Sequence, residues 1–106
     1  MKIYHESDMT KGWIIGDFLP CVIPSKYFEV GLKRYKKNEF EQSHTHKIAT
    51  EITMVIEGSA KMNEKILEKG TIILIEPGES TNFLALEDTI TMVIKTPSIP
   101  NDKYYD

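Results

Sequence analysis

The sequence predicts an all-β domain, a single antiparallel β-barrel built from many short strands. Three observations carry that expectation. Apolar and polar residues alternate with a period of two over several runs. Turn-forming residues recur between those runs, at Gly58, Asn63-Glu64, Lys69-Gly70, Pro77-Gly78 and Glu87-Asp88. No segment longer than one turn carries an apolar period of 3.6. Short strands at regular spacing close into sandwiches or barrels.

The elements follow in order. Pro20 and Pro24 interrupt residues 13–24, which read as one or two bent edge strands. Phe28, Val30 and Leu32 alternate with Glu29, Gly31 and Lys33, as a half-buried strand does; alternation alone leaves open which row faces inward. Ile52, Met54 and Ile56 alternate with Glu51, Thr53, Val55 and Glu57. Eleven residues separate Gly58 from Gly70, so Asn63-Glu64 is expected as a tight turn joining Ser59–Met62 to Lys65–Glu68. That leaves no room for a recognition loop. Residues 71–75 and 89–95 are rich in β-branched side chains. Residues 97–106 hold two prolines, then polar residues and tyrosines, and read as an extended arm lying over the barrel or over a neighbour.

Composition narrows the classes of function. The chain has 106 residues, enough for one domain spanning 1–106. Hydrophobic residues at 41% and charged residues at 27% argue against a disordered chain. The net charge is -3 with both signs interspersed, which argues against a nucleic-acid surface. The densest basic run, Lys33, Arg34, Lys36 and Lys37, reads as a solvated rim. Cys21 is the single cysteine; it reads as a buried structural thiol. The first eight residues lack the apolar core of a signal peptide, and no run reaches the roughly 20 apolar residues that span a bilayer. A cytoplasmic location away from membranes is the simplest expectation.

The chemistry concentrates in His44-Thr45-His46 and Glu51. Histidines at i and i+2 on a strand point to one face and can converge on one ion. Glu51 has the wrong parity for the same unbroken strand, so residues 47–50 must turn or bulge before a new strand aims Glu51 back into the cavity. Two imidazoles and a carboxylate suit a divalent transition ion such as Zn, Mn, Fe or Ni, with positions left for water or substrate. A His-x-His pair alone is commonly incidental, so its surroundings decide.

Those surroundings resemble the cupin superfamily. Its first motif runs Gly, five residues, His-x-His, three or four residues, Glu, six residues, Gly. Residues 38–58 repeat it, with Asn38 in place of the first Gly and Gly58 at the end. Asn is the mildest replacement, because it tolerates a positive φ. The second motif is matched over residues 70–85 in its glycines and spacing, by Gly70 and Glu76-Pro77-Gly78, with its proline displaced by one residue. Thr81 stands where that motif carries a histidine, and Ala85 where it carries an asparagine.

The resemblance implies metal ligation by His44, His46 and Glu51, with Thr81 at the usual fourth-ligand position. It also implies a site at the barrel mouth for a small polar ligand, a carbohydrate-like molecule among the candidates. Two classes of function stay open: a metal-dependent isomerase, epimerase-like enzyme or oxygenase, and a metal-free module that binds or senses a small molecule without turnover. There His44 or His46 could serve as a general base. Tyr35 and Glu79 are candidates for moving protons. Lys33, Asn82 and Phe83 could flank the pocket, His5 could reach it only through the N-terminal arm, and Trp13 reads as a core or interface residue before a ligand-stacking one. Because Glu51 must point inward, Ile52, Met54 and Ile56 form an exposed row that a second copy would cover. A homodimer is therefore expected.

Overall fold

The computed structural model describes all 106 residues. Eleven strands follow a 3₁₀ turn at Glu6–Asp8. They are β1 (Trp13–Gly16), β2 (Ile23–Pro24), β3 (Glu29–Tyr35), β4 (Phe40–Thr45), β5 (Thr50–Glu57), β6 (Ser59–Met62), β7 (Lys65–Glu68), β8 (Ile72–Ile75), β9 (Ser80–Ala85), β10 (Thr89–Thr96) and β11 (Tyr104–Tyr105). No helix is long and apolar enough to cross a membrane.

The strands form two sheets. One has six strands in the order β2-β1-β3-β10-β5-β8, and the other five in the order β11-β4-β9-β6-β7. All pairings are antiparallel except β1 with β2. The strand ladders do not run from one sheet into the other. The expected closed barrel is thus an open jelly-roll sandwich, its two sheets joined by packing.

Local chemistry explains the turns. Asn63 and Glu64 both adopt positive φ, +49° and +66°. A two-residue turn of that kind matches the twist of its flanking strands. The Asn63 side chain fastens the hairpin to β9, since its Oδ1 accepts the Asn82 N–H and its Nδ2 donates to the Ser80 carbonyl. Asn38 adopts φ +75°, the backbone state its motif position requires. At Gly58, φ is +86° and a Cβ would lie 2.3 Å from the Asp88 carbonyl oxygen, so only glycine fits.

Each inward row changes character along its length. Along β5 it runs Glu51, Thr53, Val55; along β9 it runs Thr81, Phe83, Ala85, all buried. The apolar ends meet in one cluster, where Val55 and Ile75 of the six-stranded sheet pack with Ala60, Met62, Leu67, Phe83 and Ala85 of the other. Tyr35 closes the cluster, its ring 4.5 Å from that of Phe83. The polar ends meet beside this core and form the cavity. On β3 the inward row is Glu29, Gly31, Lys33 and Tyr35, which settles the parity that the sequence left open. The other row faces out. Val30, Ile94, Ile52 and Leu74 form one line across four strands, and Leu32, Met92, Met54 and Ile72 form the next.

The C-terminal arm folds over its own chain. Tyr104 and Tyr105 pair with Thr45 and His44 at the edge of β4. The Asp106 carboxylate accepts hydrogen bonds from the Ser43 and Thr45 hydroxyls. Cys21 is free and half-buried, less enclosed than a structural thiol was expected to be.

Candidate metal and ligand site

His44 is the second-last residue of β4, and His46 follows immediately after that strand. Both are buried, and their rings stand perpendicular with centroids 5.1 Å apart. Each Nδ1 lies 2.8 Å from a backbone carbonyl, of Gln42 for His44 and of Asp102 for His46. A carbonyl only accepts, so each Nδ1 carries the hydrogen and each Nε2 keeps a lone pair. That is how proteins orient imidazoles for metals. The Nε2 of His46 is buried and has no hydrogen-bond partner.

The parity break after His46 has a physical cause. The Asp102 carboxylate accepts the N–H groups of Lys47, Ile48 and Ala49 at 3.0, 3.1 and 2.9 Å. These bonds hold residues 47–49 in a bend, and β5 then starts with Glu51 turned inward. Burial pushes the Asp102 pKa up, but the three N–H donors outweigh it and hold the carboxyl below its ordinary range. Asp102 therefore sets both the His46 ring, through its carbonyl, and the path to Glu51, through its carboxylate.

Glu51 is buried. Its Oε2 accepts the Thr53 hydroxyl at 2.8 Å, and its Oε1 lies 3.6 Å from His46 Nε2 and 4.0 Å from Lys95 Nζ. Thr81 sits directly across from His44 in the β4–β9 ladder and is buried. As the side chains stand, no three His, Cys, Asp or Glu residues are drawn into a metal-holding cluster. The donor set nevertheless fits a divalent ion, with one carboxylate and two imidazoles, one of which has its buried Nε2 unpartnered. His46 is held neutral, its pKa lowered first by burial and then by the Lys95 ammonium.

These groups line a cavity of about 350 Å³ between the sheets. That is the lower end of the usual range for small-molecule sites, roughly 300–1,000 Å³. Phe83 and Tyr35 wall the side toward the core. Burial, with the Glu41 carboxylate adding to it, raises the Tyr35 pKa far above its ordinary value, so the phenol keeps its proton.

Several expectations need correcting. Glu79 lies outside the cavity, in the exposed turn before β9, where its carboxylate accepts the Glu76 N–H. Its side chain is not among those that line the cavity. Of the two places the sequence allows Lys33, a solvated rim and the flank of the pocket, the structure shows the second. Trp13 was read as a core or interface residue; it lines the cavity, with the Nζ atoms of Lys33 and Lys95 each 5.2 Å from its ring centroid. His5 caps the N-terminal 3₁₀ turn and stays exposed, away from the cavity. Asn82 is exposed at the rim, and Phe83 is buried. Sequence reasoning missed Asp102 and Lys95. Asp102 is 56 residues from the histidine it orients, with no local pattern to mark it.

No protein-family model matches the sequence, and no curated protein matches it. Solved structures do. A cupin-2 domain protein from Shewanella frigidimarina aligns with TM-score 0.58 and 20% identity over 65% of this chain and 70% of its own. A sugar phosphate isomerase of the cupin superfamily from Silicibacter pomeroyi aligns with TM-score 0.67 and 21% identity over 76% of this chain and 57% of its own. Oxalate decarboxylase from Bacillus subtilis, an enzyme with Mn(II) centres, aligns with TM-score 0.67 and 19% identity over 76% of this chain and 24% of its own. The chain has the fold of the cupin superfamily.

Proposed function

We propose that the cavity binds a divalent transition-metal ion through His44, His46 and Glu51 and binds or transforms a small polar molecule beside it. The observation that carries this reading is the buried, unpartnered Nε2 of His46, its ring fixed by the Asp102 carbonyl. Burying a polar nitrogen without a partner costs free energy that a ligand bond would recover. Bound there, the ion would supply Lewis-acid polarisation of a ligand oxygen. Tyr35, its phenol held protonated at the cavity wall, can donate a hydrogen bond to a ligand oxygen. Phe83 and the apolar cluster exclude water from one side. Oxygenase chemistry would need a redox-active ion in the same place.

A second reading has its own support. Lys95 Nζ lies 4.0 Å from Glu51 Oε1 and 3.9 Å from Glu29 Oε2, so the chain carries a cation that can balance Glu51 without a metal. In that reading the protein is a metal-free binding or sensing module. The single free thiol fits a reducing cytoplasm in either case.

Metal content separates the two. The protein is purified without chelator, dialysed and analysed for transition metals. The metal reading expects up to one ion per chain, removable by chelator and restored on adding Zn²⁺ or Mn²⁺. Failure to restore any stoichiometric ion supports the module.

A further inference from the structure

Four lysines converge on the cavity: Lys11, Lys33, Lys95 and Lys103. Three carboxylates face them, those of Glu29, Glu41 and Glu51. The pairing is uneven. Lys95 lies within 4.0 Å of both Glu29 and Glu51, whereas Lys11, Lys33 and Lys103 have no carboxylate within that distance. Lys33 is the most enclosed of these three. It donates to the Lys11 carbonyl at 2.9 Å and holds its ammonium 5.2 Å from the centre of the Trp13 ring. Burial lowers its pKa; Glu41 opposes that shift, and the ammonium groups of Lys95, Lys103 and Lys11 add to it. A partly desolvated ammonium among like charges is unfavourable, and an anion in the cavity would relieve it.

We propose that the cavity recognises an anionic small molecule. Its carboxylate or phosphate head would be held by Lys33 with Lys11 and Lys103, and its remainder would lie against Trp13 and reach toward the histidines. The inference deepens the reading of this cavity as a ligand site, and it holds with or without a bound metal. Trp13 makes the test direct, because it is the chain's only tryptophan and lies among these lysines.

Trp13 fluorescence is titrated with inorganic phosphate, glucose 6-phosphate, glucuronate and glucose. The charged probes should change the emission saturably, with affinity falling as salt rises, and glucose should not. Comparing the phosphate-bearing probes with glucuronate identifies the preferred head group. Lys33→Gln should weaken the best anion about tenfold, the scale of one charge-assisted hydrogen bond, and Lys33→Arg should retain most of the affinity. Lys33 also tethers Lys11, so the exposed Lys103→Gln serves as a second variant and should weaken the same anion. Glucose binding as well as the anions would overturn the proposal, as would anion affinity indifferent to both lysine variants. If the wild type binds anions but takes up no metal, the metal reading fails and this one stands. If it takes up metal but shows no preference for anions, only this one fails.

Discussion

The two faces of the six-stranded sheet invert the usual order of a soluble protein. Over its cavity half, the inner face presents Glu29, Lys33, Glu51, Thr53, Thr91 and Lys95. The outer face presents two unbroken apolar lines, from Val30 to Leu74 and from Leu32 to Ile72. Ile72 and Leu74 are more than half exposed, at 65% and 57%. A soluble sheet ordinarily turns its apolar row inward. Here the charged side chains line the cavity, and the apolar row faces out. The two lines carry no charge, the next row being Arg34, Ile90 and Glu57, and could pack on their own copy about a two-fold axis. We propose that a homodimer buries them.

Three substitutions probe this contrast. The largest effect is expected at Phe83, where the inward row of β9 passes from polar to apolar. Phe83→Ala opens a hole between Tyr35 and the core and should cost about 4 kcal/mol of stability in urea denaturation. A loss below about 1 kcal/mol would mean that the core does not back the cavity.

Met54 tests the outer face from its middle, between Met92 and Ile72. Met54→Glu places like charges in a self-paired apolar surface and should weaken the dimer about a hundredfold, roughly 3 kcal/mol. Light scattering at micromolar concentration should give a dimer for wild type and a monomer for the variant. A monomeric wild type would end the dimer proposal.

Asp102 tests the inner face at smaller scale. Asp102→Ala removes a buried carboxylate from three backbone donors and should cost about 2 kcal/mol at pH 7. The native carboxyl titrates below its ordinary value of 3.8, so its contribution is full above that pH and is lost as the pH falls through the lower native value. The gap between wild type and variant should therefore narrow below pH 3.8. A gap independent of pH would mean that the carboxylate's charge does not hold the bend.

The contrast also explains what could be read from sequence. Alternation located β3 and β5, a β-branched run located β10, and Asn63-Glu64 located the β6–β7 hairpin with its ends, because these features depend on neighbours in the chain. The resemblance to the cupin motifs set His44, His46, Glu51 and Thr81 at one site, and all four line one cavity. Alternation gives two faces without saying which is buried. On β3 the apolar row Val30 and Leu32 would ordinarily be taken as inward, yet Lys33 and Tyr35 are the inner residues. Trp13, Lys95 and Asp102 reach the site from both ends of the chain. Their roles arise only from packing, the Asp102 carboxylate being 53 residues from the Ala49 N–H it accepts.

The most direct test of the central claim is calorimetric titration of Zn²⁺, Mn²⁺, Ni²⁺ and Fe²⁺ into wild type, His46→Ala and Thr81→His. The account predicts that wild type binds at least one ion at one site. It predicts that His46→Ala abolishes that binding, since two remaining ligands rarely hold an ion. Thr81→His, across the ladder from His44, should supply a fourth ligand and tighten binding about tenfold. Equal weak binding of every ion by wild type and His46→Ala, with no gain from Thr81→His, would contradict the account and leave the cavity metal-free.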